Sequence, residues 1–187
     1  MPLETINPAT GQKLSSYPEA TVEQAERSLR AAGEAFQQWR RSDLNRRAAL
    51  MQTAAKLLRR SADDYAKLMA QEMGKPISQG QSEIEKCAWA CEFFAETTAR
   101  FLAPEFIATD AAKSFVRFEP LGVVLAIMPW NFPFWQVFRC AAPALMAGNS
   151  IVLKHASNVP GCALAIERIF QEAGFPMGLL QTLLVDS

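Results

Sequence analysis

From Gly122 onward the chain alternates between apolar extended runs and helical stretches, and that alternation limits its fold more than any other feature. Gly122-Val123-Val124-Leu125-Ala126-Ile127-Met128 is rich in Val, Leu and Ile and reads as a buried strand. Residues 134–146 read as a helix stopped by Gly148-Asn149, and 150–154 as a second strand. A helix over 160–173, stopped by Gly174, and a third strand over 179–185 follow. A β-α-β-α-β series with short connections implies parallel pairing through right-handed crossovers. The expected fold class is α/β, with this part forming the first half of a Rossmann-like parallel sheet.

Before about residue 103 the pattern is helical and charged. Thr21 can cap a helix over 22–40, with Ala25, Leu29, Ala32, Phe36 and Trp39 on one face. Ser42 or Asp43 can cap a second helix that runs through Leu58. Residues 62–73 make a third, stopped by Gly74 with Pro76 just beyond, and 78–102 a long fourth. Nothing in these helices demands catalysis, and their charges read most simply as solvated faces. Residues 106–108 and 114–119 then read as two strands around the polar turn 109–113, a half-exposed hairpin whose edge invites pairing with another chain. The expected division is a helical segment 1–102, an oligomerisation hairpin 103–120 and a nucleotide-binding half-domain 121–187.

Composition narrows the function classes. Lysine and arginine (19) balance aspartate and glutamate (19), so no basic excess argues for nucleic acid and no acidic run suggests a solvated tail. The N-terminal Met-Pro-Leu-Glu-Thr is neither basic nor followed by an apolar core, so no secretory signal is expected. Prolines interrupt the longest uncharged stretch, 120–138, which disfavours a membrane span. Cys87, Cys91, Cys140 and Cys162 lack paired metal-ligand spacing. They read as free, mostly buried thiols of a cytoplasmic protein, with no metal site.

Pro129 closes the first strand of the tail because it cannot donate to a ladder. The next polar side chain is Asn131, held between Pro129 and Pro133 and flanked by Trp130 and Phe132. An amide just past the carboxyl end of such a strand lies where open α/β sheets place their ligand crevice. There it can donate a hydrogen bond to an oxygen that gains negative charge during a reaction. On its own the stretch is equally readable as a Pro-rich turn with a solvated asparagine.

Pro129-Trp130-Asn131-Phe132-Pro133 is followed by Pro143-Ala144-Leu145-x-Ala147-Gly148-Asn149, then Lys154, then Ala173-Gly174-Phe175-Pro176-x-Gly178. In order and spacing these blocks resemble the aldehyde dehydrogenase superfamily. Glu72-Met73-Gly74-Lys75-Pro76, the N-terminal helices and the hairpin match as well, so the resemblance covers essentially the whole chain. Within the superfamily the chain is most similar to the N-terminal portion of bacterial NAD(P)-dependent succinate-semialdehyde dehydrogenases.

The resemblance implies roles residue by residue. Asn131 matches the amide of the family's oxyanion hole. Ile127, Met128, Pro129 and Trp130 match the segment lining the path of the nicotinamide cofactor, and Lys154 matches the lysine that hydrogen-bonds the adenosine ribose. Lys154 also ends the second strand, where a cation can meet a phosphate or hydroxyl. Ser157 stands where many NAD-using relatives carry a glutamate. A serine there leaves room for a 2′-phosphate that a carboxylate would repel, so NADP (or NAD) is the implied cofactor. Arg139 matches an arginine that pairs with the distal carboxylate of succinate semialdehyde, a role suited to a planar guanidinium. Phe132 and Trp135 would then be apolar walls of the same substrate tunnel. His155, the only histidine, reads as a packed or capping residue.

In the family a cysteine thiolate attacks the aldehyde and a glutamate-activated water releases the acid. Both residues, and a second glycine-containing turn for the cofactor pyrophosphate, belong to sequence beyond Ser187, and no cysteine here has the matching context. The expected function is the N-terminal part of an aldehyde dehydrogenase oxidising a small aldehyde, with succinate semialdehyde as substrate, inactive by itself. The alternative is an inactive short homologue that acts by binding nucleotide or associating with complete subunits. An unrelated nucleotide-binding module would require the block matches to be coincidental. A homo-oligomer, dimer or tetramer, is implied for the complete subunit.

Overall fold

The computed structural model describes residues 2–186. Its first element is a hairpin absent from the sequence reading, with β1 (Leu3–Ile6) antiparallel to β2 (Lys13–Tyr17). Leu3 and Thr5 are buried while Glu4 and Ile6 face out, and this period of two was the available signal. Asn7 closes the turn, accepting from Gly11 through its carbonyl and from Ala9 through its side chain.

Four helices follow: α1 (Val22–Trp39), α2 (Leu44–Arg60), α3 (Ala62–Met73) and α4 (Ile77–Phe101). Thr21 forms a capping box with Gln24 and Asp43 caps α2, which satisfies amides that a helix start leaves without partners. The buried stripe of α1 is Ala32, Ala35, Phe36 and Trp39; Leu29, expected on that face, is exposed. The side of α1 that meets the sheet passes through Ser28, whose carbonyl accepts from Gln181, and this turns the neighbouring Leu29 outward.

The second hairpin is shorter than expected. Only β3 (Glu105–Phe106) and β4 (Phe115–Val116) pair, with Ile107 donating one further bond to Ser114. A two-stranded ribbon with both faces in solvent lacks the packing that extends a ladder. The tail then follows the expected alternation as β5 (Val123–Met128), α5 (Trp135–Met146), β6 (Ser150–His155), α6 (Pro160–Glu172) and β7 (Leu180–Thr182). The three strands are parallel in the order β5-β6-β7. β6 is the central strand and is buried except at Lys154. β5 corrects the reading of a wholly buried strand: it lies at an edge and presents Val123, Leu125 and Ile127 to solvent on one face.

The expectation of solvated charges on the N-terminal helices also fails at three positions, and a fourth buried charge, Lys75, lies in the link between α3 and α4. Arg47, Glu72, Lys75 and Glu83 are buried, and they join these helices to the sheet half. Arg47 donates to the carbonyls of Trp39, Arg40 and Ser42 at and just beyond the end of α1 and to that of Met146 at the end of α5. Its fifth bond goes to the Ser42 hydroxyl. Trp39 adds a 2.8 Å bond from Nε1 to the Leu145 carbonyl. At Gly148 φ is +95°, and an added Cβ would lie 2.8 Å from an Arg47 guanidinium nitrogen, so a glycine is required on both counts.

Arg47→Met would remove the buried guanidinium that donates to the Met146 carbonyl and ties the end of α1 to α5, although the Trp39 carbonyl would keep the Ser42 amide and hydroxyl. Urea unfolding should show a loss of about 2–4 kcal/mol. Arg59→Met, which breaks only surface pairs with Glu85 and Glu92, should cost about 1 kcal/mol or less in the same assay.

Candidate active site

The β5–β6 register sets Ile127 beside Lys154 and Met128 beside His155, so both strands end together. Pro129, Trp130, Asn131 and Phe132 leave that edge as an exposed turn, and Ser157 lies just beyond the end of β6. The six residues matched to the cofactor path, Ile127, Met128, Pro129, Trp130, Lys154 and Ser157, therefore gather at the carboxyl end of the sheet. Asn131 stands at the same end, open to solvent. Lys154 is partly buried there and forms no ion pair among the described residues.

The turn is exposed yet anchored. Glu83, on α4, accepts from the amides of Phe134 and Trp135 through one oxygen, at 2.9 Å each. α5 has no capping side chain of its own, so a carboxylate from another helix supplies the acceptor and meets the positive end of the dipole. The other Glu83 oxygen pairs with the buried Lys75 ammonium, which also lies 4.0 Å from the centre of the Phe132 ring. α6 repeats the device: Val159 offers no side-chain cap, and Glu72 of α3 accepts from Gly161 and Cys162 at 2.9 Å each. An added Cβ at Gly161 would fall 2.6 Å from the Glu72 carboxylate. Burial pushes the Glu72 carboxyl above its usual range, and the bonds from Cys162 and Gly161 pull the other way.

From the sheet side, His155 meets the Pro133 carbonyl through Nε2 at 2.9 Å, while the Ala156 amide donates to its Nδ1 at 2.8 Å. Because Nδ1 accepts, the proton of the neutral ring sits on Nε2 and is donated to Pro133. His155 is thus the packed, hydrogen-bonded residue expected from the sequence.

Phe132 and Trp135 line one cavity of about 340 Å³ together with Gln79, Ser82, Glu83 and Lys86. Lys86 places its ammonium 4.1 Å from the centre of the Trp135 ring. Arg139 does not line this cavity. It is exposed one turn further along α5, on the side of the helix that carries Trp135. The α4 contribution escaped the sequence reading, although positions 79, 82, 83 and 86 follow the spacing of one helix face.

None of the cysteines is poised as a thiolate. Burial pushes the Cys87, Cys91 and Cys162 thiols well up. The half-buried Cys140 is also raised by burial, with Arg139 acting in opposition. Among the described residues no group of three His, Cys, Asp or Glu could hold a metal, and no helix is long and apolar enough to cross a membrane.

The model of the aldehyde dehydrogenase family matches residues 1–187. The chain belongs to that family. It is 52% identical over 185 residues to a probable succinate-semialdehyde dehydrogenase [NADP(+)] of Synechocystis, covering 99% of this chain and 41% of that protein. With the succinate semialdehyde dehydrogenase [NAD(P)+] of Escherichia coli it shares 41% over 183 residues, covering 98% of this chain and 40% of the other. Its fold superposes on the succinic semialdehyde dehydrogenase of Streptococcus pyogenes, solved with NADP+, with a TM-score of 0.95 and 34% identity. That match covers 98% of this chain and 41% of the solved one. The chain thus spans about two fifths of the length of the aldehyde dehydrogenases it matches.

Thiol chemistry gives a direct check on this aldehyde dehydrogenase segment. Under native conditions at pH 8, iodoacetamide should modify Cys140 slowly and leave Cys87, Cys91 and Cys162 intact, whereas in urea all four should react. Peptide mapping that shows fast native labelling of any buried thiol would contradict the burial described above.

Proposed function

We propose that this chain supplies the oxyanion donor, the first part of the cofactor crevice and one wall of the substrate tunnel of an NADP-accepting succinate-semialdehyde dehydrogenase. The observation that carries the reading is the exposed Asn131 amide, on an anchored turn at the carboxyl end of β5, with Lys154 at the neighbouring strand end. As an attacking thiolate adds to the aldehyde carbon, the carbonyl oxygen becomes an oxyanion. The Asn131 side-chain nitrogen donates to it, and such a donor stabilises the transition state by roughly 3 kcal/mol. The nucleophile, the base that activates water and the remaining cofactor contacts come from outside residues 1–187 in this reading.

The crevice suits a phosphorylated dinucleotide, which supplies a hydride acceptor when bound. Lys154 offers a cation, and Ser157 a hydroxyl where a glutamate would repel a 2′-phosphate. The names of the Synechocystis and Escherichia coli relatives and the NADP+ in the Streptococcus pyogenes structure support that cofactor. Arg139, exposed one turn beyond Trp135 on α5, receives the distal carboxylate in this reading. The exposed Phe106, Ile107, Phe115 and Val116 of the short hairpin support an oligomerisation role, in a dimer or tetramer. Free thiols fit a cytoplasmic setting.

In the active enzyme containing this segment, Asn131→Ala should lower kcat by about 10²–10³-fold with little change in cofactor affinity. An unchanged kcat would sink the oxyanion assignment. Arg139→Leu should raise KM for succinate semialdehyde at least about tenfold more than KM for an uncharged aldehyde such as butanal. Equal effects on both substrates would remove Arg139 from the carboxylate site.

A further inference from the structure

His155 is the only histidine, and the reaction outlined above has no use for its proton. Its bonds point to another role. The turn over residues 129–133 contains two prolines, so two of its five residues cannot donate a backbone hydrogen bond. The Phe132 carbonyl accepts from Gln136 in α5, which ties that end of the turn to its own helix. Glu83 ties the start of α5 to α4. Beyond the strand pairing that ends at Met128 and His155, the bond from His155 Nε2 to the Pro133 carbonyl is the only side-chain hydrogen bond among the described residues that links the turn to the sheet end carrying Lys154.

We propose that His155 is a positioning residue that fixes the Pro-Trp-Asn-Phe-Pro turn to the end of β6 and so sets where the Asn131 amide stands. The role rests on the reading of Asn131 as an oxyanion donor. The neutral ring is locked in one tautomer because the Ala156 amide occupies Nδ1. Protonation would set an Nδ1–H against the Ala156 N–H, two donors facing each other, and the ring must then move or turn. Asn131, two residues from the bonded carbonyl, then loses its tie to β6, while the N–H side of the same Pro133–Phe134 peptide unit stays held by Glu83.

The surrounding charges resist that protonation. Burial acts first and lowers the pKa of the ring below 6.5; the Pro133 carbonyl favours the proton, and Lys154 beside it on β6 opposes it. Across the turn the buried Lys75–Glu83 pair holds the Phe132 ring and the start of α5. Folded His155 binds its proton more weakly than the unfolded chain does. Its contribution to stability is therefore complete above pH 6.5 and is lost as pH falls through the lower folded value.

A single histidine makes the test clean, because its ring resonances in a ¹⁵N-labelled sample need no assignment. From pH 8 to 4.5, the side-chain amide of Asn131 should shift with the same midpoint as the His155 ring, below 6.5, while the Ala88 backbone amide in the helical core stays still. Asn131 signals that ignore the His155 titration would overturn the proposal. At pH 7.5, His155→Gln, which retains a donor for Pro133, should leave the Asn131 amide near its native position. His155→Phe should displace it, and equal displacement in both variants would also overturn the proposal. In the active enzyme His155→Phe should lower kcat about tenfold or more with the KM for NADP unchanged, since small misplacements of a reacting group are costly. If Asn131→Ala leaves kcat intact while the two titrations still coincide, the functional reading fails and the positioning role stands. If Asn131→Ala is severe and the titrations do not coincide, the reverse holds.

Discussion

Two buried carboxylates reach across the molecule to helix starts that have no caps of their own, and the arrangement of the sheet half depends on them. Glu83 accepts from Phe134 and Trp135 at the start of α5, and Glu72 from Gly161 and Cys162 at the start of α6. Each satisfies two amides that would otherwise be buried without acceptors, and each places negative charge at the positive end of a helix dipole. Desolvating a carboxylate opposes this, as the raised Glu72 carboxyl shows. Two hydrogen bonds to an ionised acceptor offset much of that cost, and Glu83 has the Lys75 ammonium in addition. Arg47 mirrors the device at the other end of α5, donating to Met146. α5 is thereby held at both ends by helices remote from it in sequence. The helical segment and the parallel sheet consequently behave as one packed unit, sharing a core in which Trp39, Met51 and Leu58 lie with Phe138, Ile151 and Phe170.

The alternation after Gly122 was legible because a parallel βαβ unit is written locally, in apolar runs, glycine stops and short links. Family membership was legible for the same reason, since its blocks are contiguous. What escaped was non-local. Glu72 stood in a matched block and Glu83 in none, yet no local pattern gave either a buried role unlike that of the exposed Glu85 or Glu96, because their partners are backbone amides many residues away. The exposure of alternate residues in β5 follows from strand order and from what packs on each face, which the apolar run does not encode. The first hairpin was missed although Leu3-Glu4-Thr5-Ile6 alternates, because four residues carry little periodicity. Asn131, Lys154 and Ser157 were singled out by motif, whereas the cavity wall from α4 was not, since its polar residues resemble an ordinary solvated face.

The same buried contacts also engage carboxylates near the strand ends. The chain as a whole is neutral, but its carboxylates nearest the site are spoken for: Glu83 by Lys75 and two amides, Glu72 by two more. Lys86, Arg139 and Lys154 form no ion pair among the described residues. Lys154 stands at the carboxyl end of β6, and Lys86 lies over the Trp135 ring. The two carboxylates consumed in fixing α5 and α6 are held at those helix starts and pair with neither of these lysines.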